Sequence, residues 1–309
     1  MVIRNTADNW TISNTVVILG NFDGIHNGHQ LLVDTSLKIA EEMSLQTAVF
    51  TFLPHPSKFF GSQNFRLIYT EEEKQELFES CGLDYYILFP FNEENRNLSP
   101  EDFVDKILLK KLGAKAIVVG TDYRFGQKAM GNTETLKELL EPHGVKVKVL
   151  DKLQTNGEDI SSTKLRKSIE EGDLQLFERL TGRKFHLNGI VISGHQLGRE
   201  LGFPTANVLP DSEKLLPPNG VYLTNVIYNG NTHIALSNVG ISPSLENRPY
   251  SVESYILDFN KDIYGEKISV EFVKFLRPEI KFSNVNDLKE QIGRDVALIR
   301  MALSLDETM

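Results

Sequence analysis

The sequence predicts an α/β fold in which a doubly wound parallel sheet is followed by an antiparallel β-barrel with a C-terminal helix. In the first part of the chain, short β-branched runs alternate with segments of helical periodicity, which is typical of a parallel sheet covered on both faces. After residue 180 this pattern is replaced by short runs separated by Gly, Pro and Asn turns, which favour a barrel. We therefore expect one domain over residues 1–182 and a second over 183–309.

Five apolar runs predict the strands of the first sheet: 16–19, 47–52, 85–89, 116–119 and 145–149. Between the first two runs, five residues fall at helical spacing: Leu31, Leu32, Thr35, Ile39 and Met43. Ser99 followed by Pro100 predicts a helix start, with the Ser as cap and the Pro at the first helical position. Ligands bind such sheets beyond the carboxyl ends of the strands, so we expect a site just after residue 19.

Five further runs predict the barrel strands: 189–193, 220–229, 232–239, 251–259 and 267–276. Asn229-Gly230 lies between two of them and indicates a tight hairpin turn. A helix is predicted from about residue 285 to 304, because five apolar residues share one helical face: Leu288, Ile292, Val296, Ile299 and Leu303.

Composition narrows the class of protein. The 309 residues carry a net charge of −9, which argues against broad nucleic-acid binding or attraction to anionic lipid. The single cysteine, Cys81, cannot form an internal disulfide and suits a reducing compartment. No apolar run approaches the length of a membrane span. We expect a cytoplasmic protein with small-molecule substrates, no nucleic-acid or membrane partner, and at most weak self-association as a homo-oligomer.

The segment from Gly20 to His29 follows an apolar strand and opens a helix. Its glycines let the backbone approach a ligand, and a helix N-terminus offers unpaired N–H groups. The spacing fits neither a Walker A sequence nor a dinucleotide fingerprint. His26 and His29 lie three apart, on one side of a helical start, where imidazoles can donate hydrogen bonds to phosphoryl oxygens. The alternative is a Gly-rich turn with two surface histidines.

A second polar segment, Ile160 to Arg166, places three hydroxyl groups at a helix start with Arg166 one turn in. As structure alone, Ser162 or Thr163 is a helix N-cap. As a site, the hydroxyls, the free N–H groups and the guanidinium form a triphosphate clamp.

Together the two segments resemble the HxGH nucleotidyltransferase superfamily. Within it, Thr-Phe-Leu-Pro-His-Pro at residues 51–56 and Gly-Thr-Asp-Tyr-Arg-Phe-Gly at 120–126 are similar to the flavin adenylyltransferase module of bacterial bifunctional riboflavin kinase/FAD synthetases. The resemblance implies that His26 and His29 act catalytically on the phosphates of ATP. Further residues are implied to bind ATP or its phosphates: Gly20, Phe22, Asp23, Gly24, Gly28, Ser161, Ser162, Thr163 and Arg166. Weaker matches are implied to lie near flavin or nucleotide: Phe52, Pro54, Pro56, Asp122 and Phe125.

The second half carries its own candidate site. Thr205 and Asn207 are two apart on an extended segment, so their side chains point the same way, and both offer hard oxygen ligands suited to Mg²⁺. Glu253 interrupts an apolar strand pattern, either as an outward surface residue or as a base aimed into the barrel. Spacing alone favours the surface position.

Gly-Phe-Pro-Thr-Ala-Asn at residues 202–207, with almost all of the second half, is similar to a riboflavin kinase domain. The resemblance implies that Thr205 and Asn207 bind the metal and that Glu253 is the general base for the ribityl 5′-hydroxyl. The residues implied to bind the nucleotide are Gly194, Gly198, Gly202, Pro204, Thr205 and Asn207.

The leading hypothesis is a bifunctional enzyme with Mg²⁺ as cofactor and ATP, riboflavin and FMN as substrates. The second domain makes FMN from riboflavin, and the first makes FAD from FMN with release of pyrophosphate. Leu53 stands where the family usually has an acidic residue, which keeps open a riboflavin kinase with an altered first domain. A non-catalytic flavin-binding regulator would not require His26, His29, Thr205 and Glu253.

Overall fold

The computed structural model of the chain describes residues 1–5, 11–61, 65–155, 157–193, 197–241 and 250–306. They form two compact units, Met1–Lys164 and Leu165–Met309. Within the described ranges, every helix is too short or too polar to cross a lipid bilayer.

The first unit is built on a sheet of six strands, all parallel, in the spatial order β1-β4-β3-β2-β5-β6. The strands are β1 (Val2–Asn5), β2 (Thr15–Leu19), β3 (Gln46–Leu53), β4 (Tyr85–Pro90), β5 (Ala114–Gly120) and β6 (Lys146–Leu150). The five predicted strands are confirmed, and β1 is an edge strand that the sequence did not reveal. The chain passes from β2 to one side of the sheet and later returns to its other side with β5. The order therefore reverses between β2 and β5, where ligands bind in open α/β sheets.

Helices cover both faces of this sheet, as predicted for a doubly wound fold. They are α1 (Asn27–Met43), α2 (Pro56–Phe59), α3 (Glu71–Ser80), α4 (Pro100–Asp102), which continues as a π helix over Phe103–Lys111, and α5 (Thr133–Leu140). One core lies on the face of Phe50 and Phe103, and the other on the face of Val16 and Phe78. The predicted cap is confirmed, because Oγ of Ser99 accepts the N–H of Asp102 at 3.0 Å.

A two-stranded hairpin of β7 (Gln154–Thr155) and β8 (Glu158–Asp159) precedes α6 (Ser162–Glu170) and α7 (Leu174–Thr181). The compact units divide within α6, after Lys164, so that α7 belongs to the second unit, and the domain boundary at 182/183 stays a prediction. The physical reason for this division is the packing of α7. Phe177 is fully buried and meets Phe185 edge to face at 5.4 Å between ring centroids, and Phe185 lies 5.7 Å from Phe272 of the barrel.

The second unit is a closed antiparallel barrel with the order β10-β13-β12-β11-β14-β9, in which β9 also pairs with β10. Its strands are β9 (His186–Ile192), β10 (Thr205–Val208), β11 (Gly220–Tyr228), β12 (Asn231–Gly240), β13 (Ser251–Ile256) and β14 (Lys267–Arg277), with α8 (Leu197–Glu200) between β9 and β10. The hairpin at Asn229-Gly230 is confirmed, with φ values of 49° and 73°. β10 was missed as a strand because it is four residues long and half polar.

The barrel interior contains a short chain of hydroxyl groups. Oγ of Ser237 lies 2.6 Å from Oγ1 of Thr224 and 2.7 Å from Oγ of Ser254, and all three side chains are buried. Each hydroxyl thereby has a partner in the dry interior. Since side chains alternate along a strand, the inward direction of Ser254 sets the direction of its neighbours on β13.

The last helix, α9 (Val285–Asp306), packs on the outside of the barrel wall. Ile299 is buried against Val221 and Leu236, and Ile292 and Val296 contact the same cluster. The predicted apolar face is confirmed for these residues. The side chain of Leu303 lies outside the described residues.

We predict that α7 stabilises the barrel rather than the first unit. A fragment of residues 165–309 should unfold at higher urea concentration than a fragment of residues 183–309. Phe177→Ala in the longer fragment should cost about 3–5 kcal/mol, the usual range for a buried Phe, and remove most of that difference. Equal midpoints for the two fragments would contradict this role of α7.

Candidate functional site

A polar cavity of about 370 Å³ lies at the carboxyl ends of β2, β5 and β6. Leu19 and Gly20 line it at the end of β2, Gly120 at the end of β5, and Leu150 at the end of β6. This is the switch point between β2 and β5, where the sequence placed a site.

The two histidines meet at the entrance of α1. His26 is the N-cap, with extended backbone, and its Nδ1 accepts the backbone N–H of His29 at 3.3 Å. The two imidazole rings stack at 3.8 Å between centroids with an angle of 14° between their planes. Because Nδ1 of His26 is an acceptor, a neutral imidazole must carry its proton on Nε2. Both side chains line the cavity.

The glycines of this segment make room for the rings. A Cβ on Gly28 would lie 3.0 Å from Nδ1 of His26, and a Cβ on Gly20 would lie 2.9 Å from the ring of Phe22. Phe22 is fully buried, has a φ of 50°, and supports His29 at 5.0 Å between ring centroids. A side chain at either glycine would therefore displace the groups that form the site.

Burial keeps the histidine pair neutral. Desolvation lowers the pKa of His26 to about 4, partly offset by the carboxylate of Asp122. Burial and the adjacent His26 hold the pKa of His29 well below its usual value. Nδ1 of His29 is buried and has no hydrogen-bond partner among the described residues. At neutral pH the pair therefore offers neutral N–H groups rather than positive charge.

Ser161, Ser162 and Asp122 also line the cavity. Oγ of Ser161 accepts the backbone N–H of Lys164 at 3.3 Å, so Ser161 acts as the cap of α6 instead of Ser162 or Thr163. Thr163 is exposed and does not line the cavity. Arg166 lies one turn into α6, in the second compact unit.

Asp23 and Gly24 do not line the cavity either. Asp23 is 3 % exposed, and its Oδ1 accepts the N–H of Ile68 at 3.0 Å. This carboxylate ties the loop after β2 to a neighbouring segment. The position of Asp23 therefore does not support the phosphate contact that the resemblance implies.

An aromatic cavity of about 440 Å³ adjoins the polar one. Asn21, Phe52 and Arg124 line both cavities. Further residues line the aromatic cavity alone, among them Pro56, Phe60, Phe89, Phe91, Arg96 and Phe125. This composition suits a flat aromatic ligand whose polar end reaches the polar cavity.

Four residues of the 51–56 segment line neither cavity, and two of them, Leu53 and Pro54, were singled out from the sequence. Leu53 is 36 % exposed and Pro54 is exposed, and neither lines the polar or the aromatic cavity. Leu53, the residue that departs from the family pattern, therefore lies outside both cavities. Its position does not support the alternative of a riboflavin kinase with an altered first domain.

In the second unit, Glu253 points away from the barrel interior. It alternates with the buried Ser254 on β13 and pairs in register with Asn207 of β10 and Asn238 of β12. The outward direction that spacing favoured is confirmed, although Glu253 is half-buried at a cavity rather than on the open surface, and the alternative of a base aimed into the barrel is wrong. Thr205 and Asn207 share its face, since Ala206 and Val208 alternate with them inside the wall.

This outer face carries one of the two cavities that Thr205 lines. One, of about 270 Å³, contains Glu253 and Asn238 with an apolar wall that includes Phe203, Tyr255, Leu288 and Ile292. The other, of about 360 Å³, is lined by polar residues that include Arg199, Lys261 and Asp262. Thr205 lines both cavities, and Pro204 lines the second. Oδ1 of Asn207 is buried and has no hydrogen-bond partner among the described residues.

The glycines before Phe203 shape the loop over these cavities. Gly198 lines the smaller cavity, and a Cβ there would lie 2.5 Å from the carbonyl oxygen of Phe203. Gly202 has a φ of 88° and lines neither cavity. Gly194 lies outside the described residues.

The wall of the smaller cavity is fixed by an ion pair between the half-buried Arg277 and the buried Asp295. Nε and Nη2 of Arg277 donate to the carboxylate of Asp295 on α9, with distances of 3.0 and 2.7 Å to Oδ2. Asp295 is 3 % exposed and also accepts from Gln291. A bidentate pair of this kind fixes orientation as well as distance.

Several lining residues escaped the sequence reasoning. They are Asn21, Arg124 and Lys152 in the first unit, and Arg199, Phe203, Asn238, Lys261, Arg277 and Asp295 in the second. Asn21, Arg124 and Phe203 had a local signal, because they lie within the 20–29, 120–126 and 202–207 motifs. The others are brought together by strand register and by the docking of α9.

The fold and cavities define a class: an ATP-using transferase in which a parallel-sheet nucleotidyltransferase unit precedes an antiparallel-barrel kinase unit. Two family models match the chain, FAD synthetase over residues 8–164 and riboflavin kinase over 181–303. The chain belongs to the bifunctional riboflavin kinase/FMN adenylyltransferase family.

Relatives of that name match over nearly the whole chain. The protein of Listeria monocytogenes is 37 % identical over 293 residues, covering 94 % of this chain and 93 % of the relative. That of Bacillus subtilis is 36 % identical, covering 92 % and 90 %. A crystal structure described as a macrolide-efflux protein from Streptococcus pneumoniae has a TM-score of 0.87 and 29 % identity, covering 97 % of this chain and 99 % of that one.

We predict that acid destabilises the protein through the histidine pair. The unfolded chain binds a proton on His26 below about pH 6.5, whereas the folded chain does so only near pH 4. Stability is therefore lost as the pH falls through this window, by about 3 kcal/mol for His26 alone. His26→Asn retains a capping acceptor but does not titrate, so its unfolding free energy should depend less on pH.

Chemical denaturation of both proteins at several pH values between 7 and 4 measures this difference. His143→Asn, at an exposed position, should follow the wild type. Parallel curves for His26→Asn and the wild type would show that His26 is not buried in neutral form.

Proposed function

We propose that the second unit phosphorylates riboflavin to FMN with ATP, and that the first unit adenylylates FMN to FAD. The observation that carries this proposal is that each unit has a polar cavity joined to one with an aromatic or apolar wall. Asn21, Phe52 and Arg124 connect the two cavities of the first unit, and Thr205 connects those of the second. A phosphate donor and a flavin can then meet at the shared residues.

In the first unit, a phosphate oxygen of FMN attacks the α-phosphorus of ATP. A new P–O bond forms, the bond between the α-phosphorus and the bridging oxygen breaks, and pyrophosphate leaves with that oxygen. No protein nucleophile is needed, so the tasks of the protein are positioning and stabilisation of charge.

His26 and His29 perform part of that stabilisation as neutral donors. The cap hydrogen bond to Nδ1 of His26 leaves its Nε2–H available to a phosphoryl oxygen. As negative charge develops on the phosphoryl oxygens, a fixed donor gains more than it does in the ground state. The hydroxyls of Ser161 and Ser162 and the N-terminus of α6 hold the phosphates as well.

In the second unit, Glu253 takes the proton of the ribityl 5′-hydroxyl as that oxygen attacks the γ-phosphorus, and ADP leaves. A primary alcohol does not ionise at neutral pH, so a carboxylate within hydrogen-bond reach is required. The apolar wall by Phe203, Tyr255 and α9 holds the ring system, and the polar cavity with Arg199 and Lys261 holds the nucleotide.

Thr205 and Asn207 lie on the same face of the barrel wall as Glu253, and their side-chain oxygens are suited to Mg²⁺. Oδ1 of Asn207 is a buried oxygen acceptor whose partner is not among the described residues. Within those residues, no group of three His, Cys, Asp or Glu side chains is placed to hold a metal. Mg²⁺ commonly binds through few protein oxygens, phosphates and water, and when bound it neutralises phosphate charge.

Incubation of the purified protein with ATP, Mg²⁺ and riboflavin, followed by chromatography of the flavins, tests the proposal. FMN should appear first and FAD after it. FMN without FAD would leave only the kinase assignment, and no new flavin would overturn both assignments.

Glu253→Gln keeps the shape of the side chain but removes the base. Riboflavin phosphorylation should fall by about 10²- to 10⁴-fold, the range that general-base catalysis supplies, while adenylylation of supplied FMN should be unchanged. Glu266→Gln is a matched control, because Glu266 is exposed and lines neither cavity of its unit. Kinase turnover within a few-fold of the wild type would show that Glu253 is not the base.

His29→Ala should impair adenylylation and leave riboflavin phosphorylation unchanged. FAD formation from supplied FMN should fall by about 10²- to 10³-fold, as for the loss of one oxyanion donor, roughly 3 kcal/mol. The rate should fall more than FMN binding weakens, because the donor acts on the transition state. Riboflavin phosphorylation by the same preparation reports correct folding, and the exposed His143→Ala is the matched control. Wild-type FAD synthesis would show that the ring has no catalytic role.

A further inference from the structure

The polar cavity of the first unit has little positive charge for a site that must hold a triphosphate. Among the described residues, its lining includes two cations, Arg124 and Lys152, and two carboxylates, Asp122 and Asp151. The histidine pair adds no charge at neutral pH, because burial lowers both pKa values. Arg124 and Lys152 must therefore supply the positive side-chain charge that meets the triphosphate.

Lys152 lies two residues beyond the end of β6, at the carboxyl edge of the sheet. Its Nζ is 3.0 Å from Oδ2 of Asp122 and 3.8 Å from Oδ2 of Asp159. The pair lies within electrostatic reach of the catalytic ring: Asp122 raises the pKa of His26, and Lys152 lowers it. The ammonium group is thus held beside the cavity, close to His26, by carboxylates that a ligand can replace.

We propose that Lys152 binds the β- and γ-phosphates of ATP, exchanging its partner Asp122 for the part of the nucleotide that leaves as pyrophosphate. The inference rests on the proposed adenylyl transfer in this unit. It assigns a phosphate-binding role to a residue outside every motif that the sequence revealed.

The exchange is favoured by the exposure of the ion pair. The Lys152 and Asp122 side chains are 39 % and 65 % exposed, and exposed pairs of single charges are weak. A triphosphate carries several charges and offers acceptors to all three ammonium hydrogens. Pyrophosphate gains charge as it leaves, so the contact also strengthens toward the transition state.

The alternative phosphate is that of FMN, and the position of Lys152 argues against it. Arg124 lines both the polar and the aromatic cavity, whereas Lys152 lines only the polar one. Asp151 and Leu153, the neighbours of Lys152 in the sequence, also line the polar cavity and are absent from the lining of the aromatic cavity. The cation that meets the flavin phosphate is then Arg124, and Lys152 serves the nucleotide.

Steady-state kinetics of the full chain with Lys152→Met tests the assignment, with FAD formation followed as ATP and FMN are varied separately. The kcat/KM for ATP should fall by about 10- to 100-fold, the value of a charge-assisted hydrogen bond. The KM for pyrophosphate in the reverse reaction should rise, and the KM for FMN should change little. Lys152→Arg should recover most of the loss because it restores the charge.

Lys148→Met is the matched control, since Lys148 lies on β6, the strand that precedes Lys152, but is exposed and does not line the cavity. Riboflavin phosphorylation should be unchanged in all variants and reports folding. The dependence of the KM for ATP on salt should be weaker in Lys152→Met than in the wild type, an effect that a structural role would not produce.

Unchanged kinetics for ATP and pyrophosphate in Lys152→Met, or a loss confined to the KM for FMN, would overturn the proposal. These outcomes differ from a failure of the proposed function, in which the wild type itself makes no FAD from FMN.

Discussion

The hydrogen bond from the backbone N–H of His29 to Nδ1 of His26 is the constraint on which the first site depends. It caps α1, fixes the tautomer of a neutral His26, and brings the two rings into a stack at 3.8 Å. Gly28 is required because a Cβ there would lie 3.0 Å from Nδ1 of His26. This one hydrogen bond therefore has two effects: it caps α1, and it orients the imidazole of His26 as a hydrogen-bond donor in the cavity.

The two units place their candidate sites on different kinds of surface. The first uses the switch point of a parallel sheet, where strand ends and helix N-termini converge and backbone N–H groups can meet phosphates. The second has no such edge, because its barrel is closed and its interior is filled by side chains such as Thr224, Ser237 and Ser254. Its site is therefore built on the outside of the wall, where α9 and the Arg277–Asp295 pair supply the enclosure that a bare barrel surface lacks.

Much of this arrangement could be predicted from the sequence. Hydrophobic patterning predicted ten of the fourteen strands found among the described residues, and the spacing of His26 and His29 placed them on one side of a helix start. The partial burial of Glu253 was missed because alternation gives two faces and does not say which one a later helix will cover. The role of α7 was missed because its partner, Phe185, follows it in sequence but belongs to the barrel. Lys152 and Asp122 are 30 positions apart by their numbers, and only strand order brings them together.

Nitrogen-15 NMR of the histidine rings tests the central claim most directly, because ring nitrogen shifts distinguish the two neutral tautomers from the cation. With His26→Asn and His29→Asn for assignment, the account predicts that both rings of the wild type are neutral from pH 7 to about pH 5. His26 should carry its proton on Nε2 and have an unprotonated Nδ1. An imidazolium form of either ring at pH 6, or a proton on Nδ1 of His26, would contradict the account.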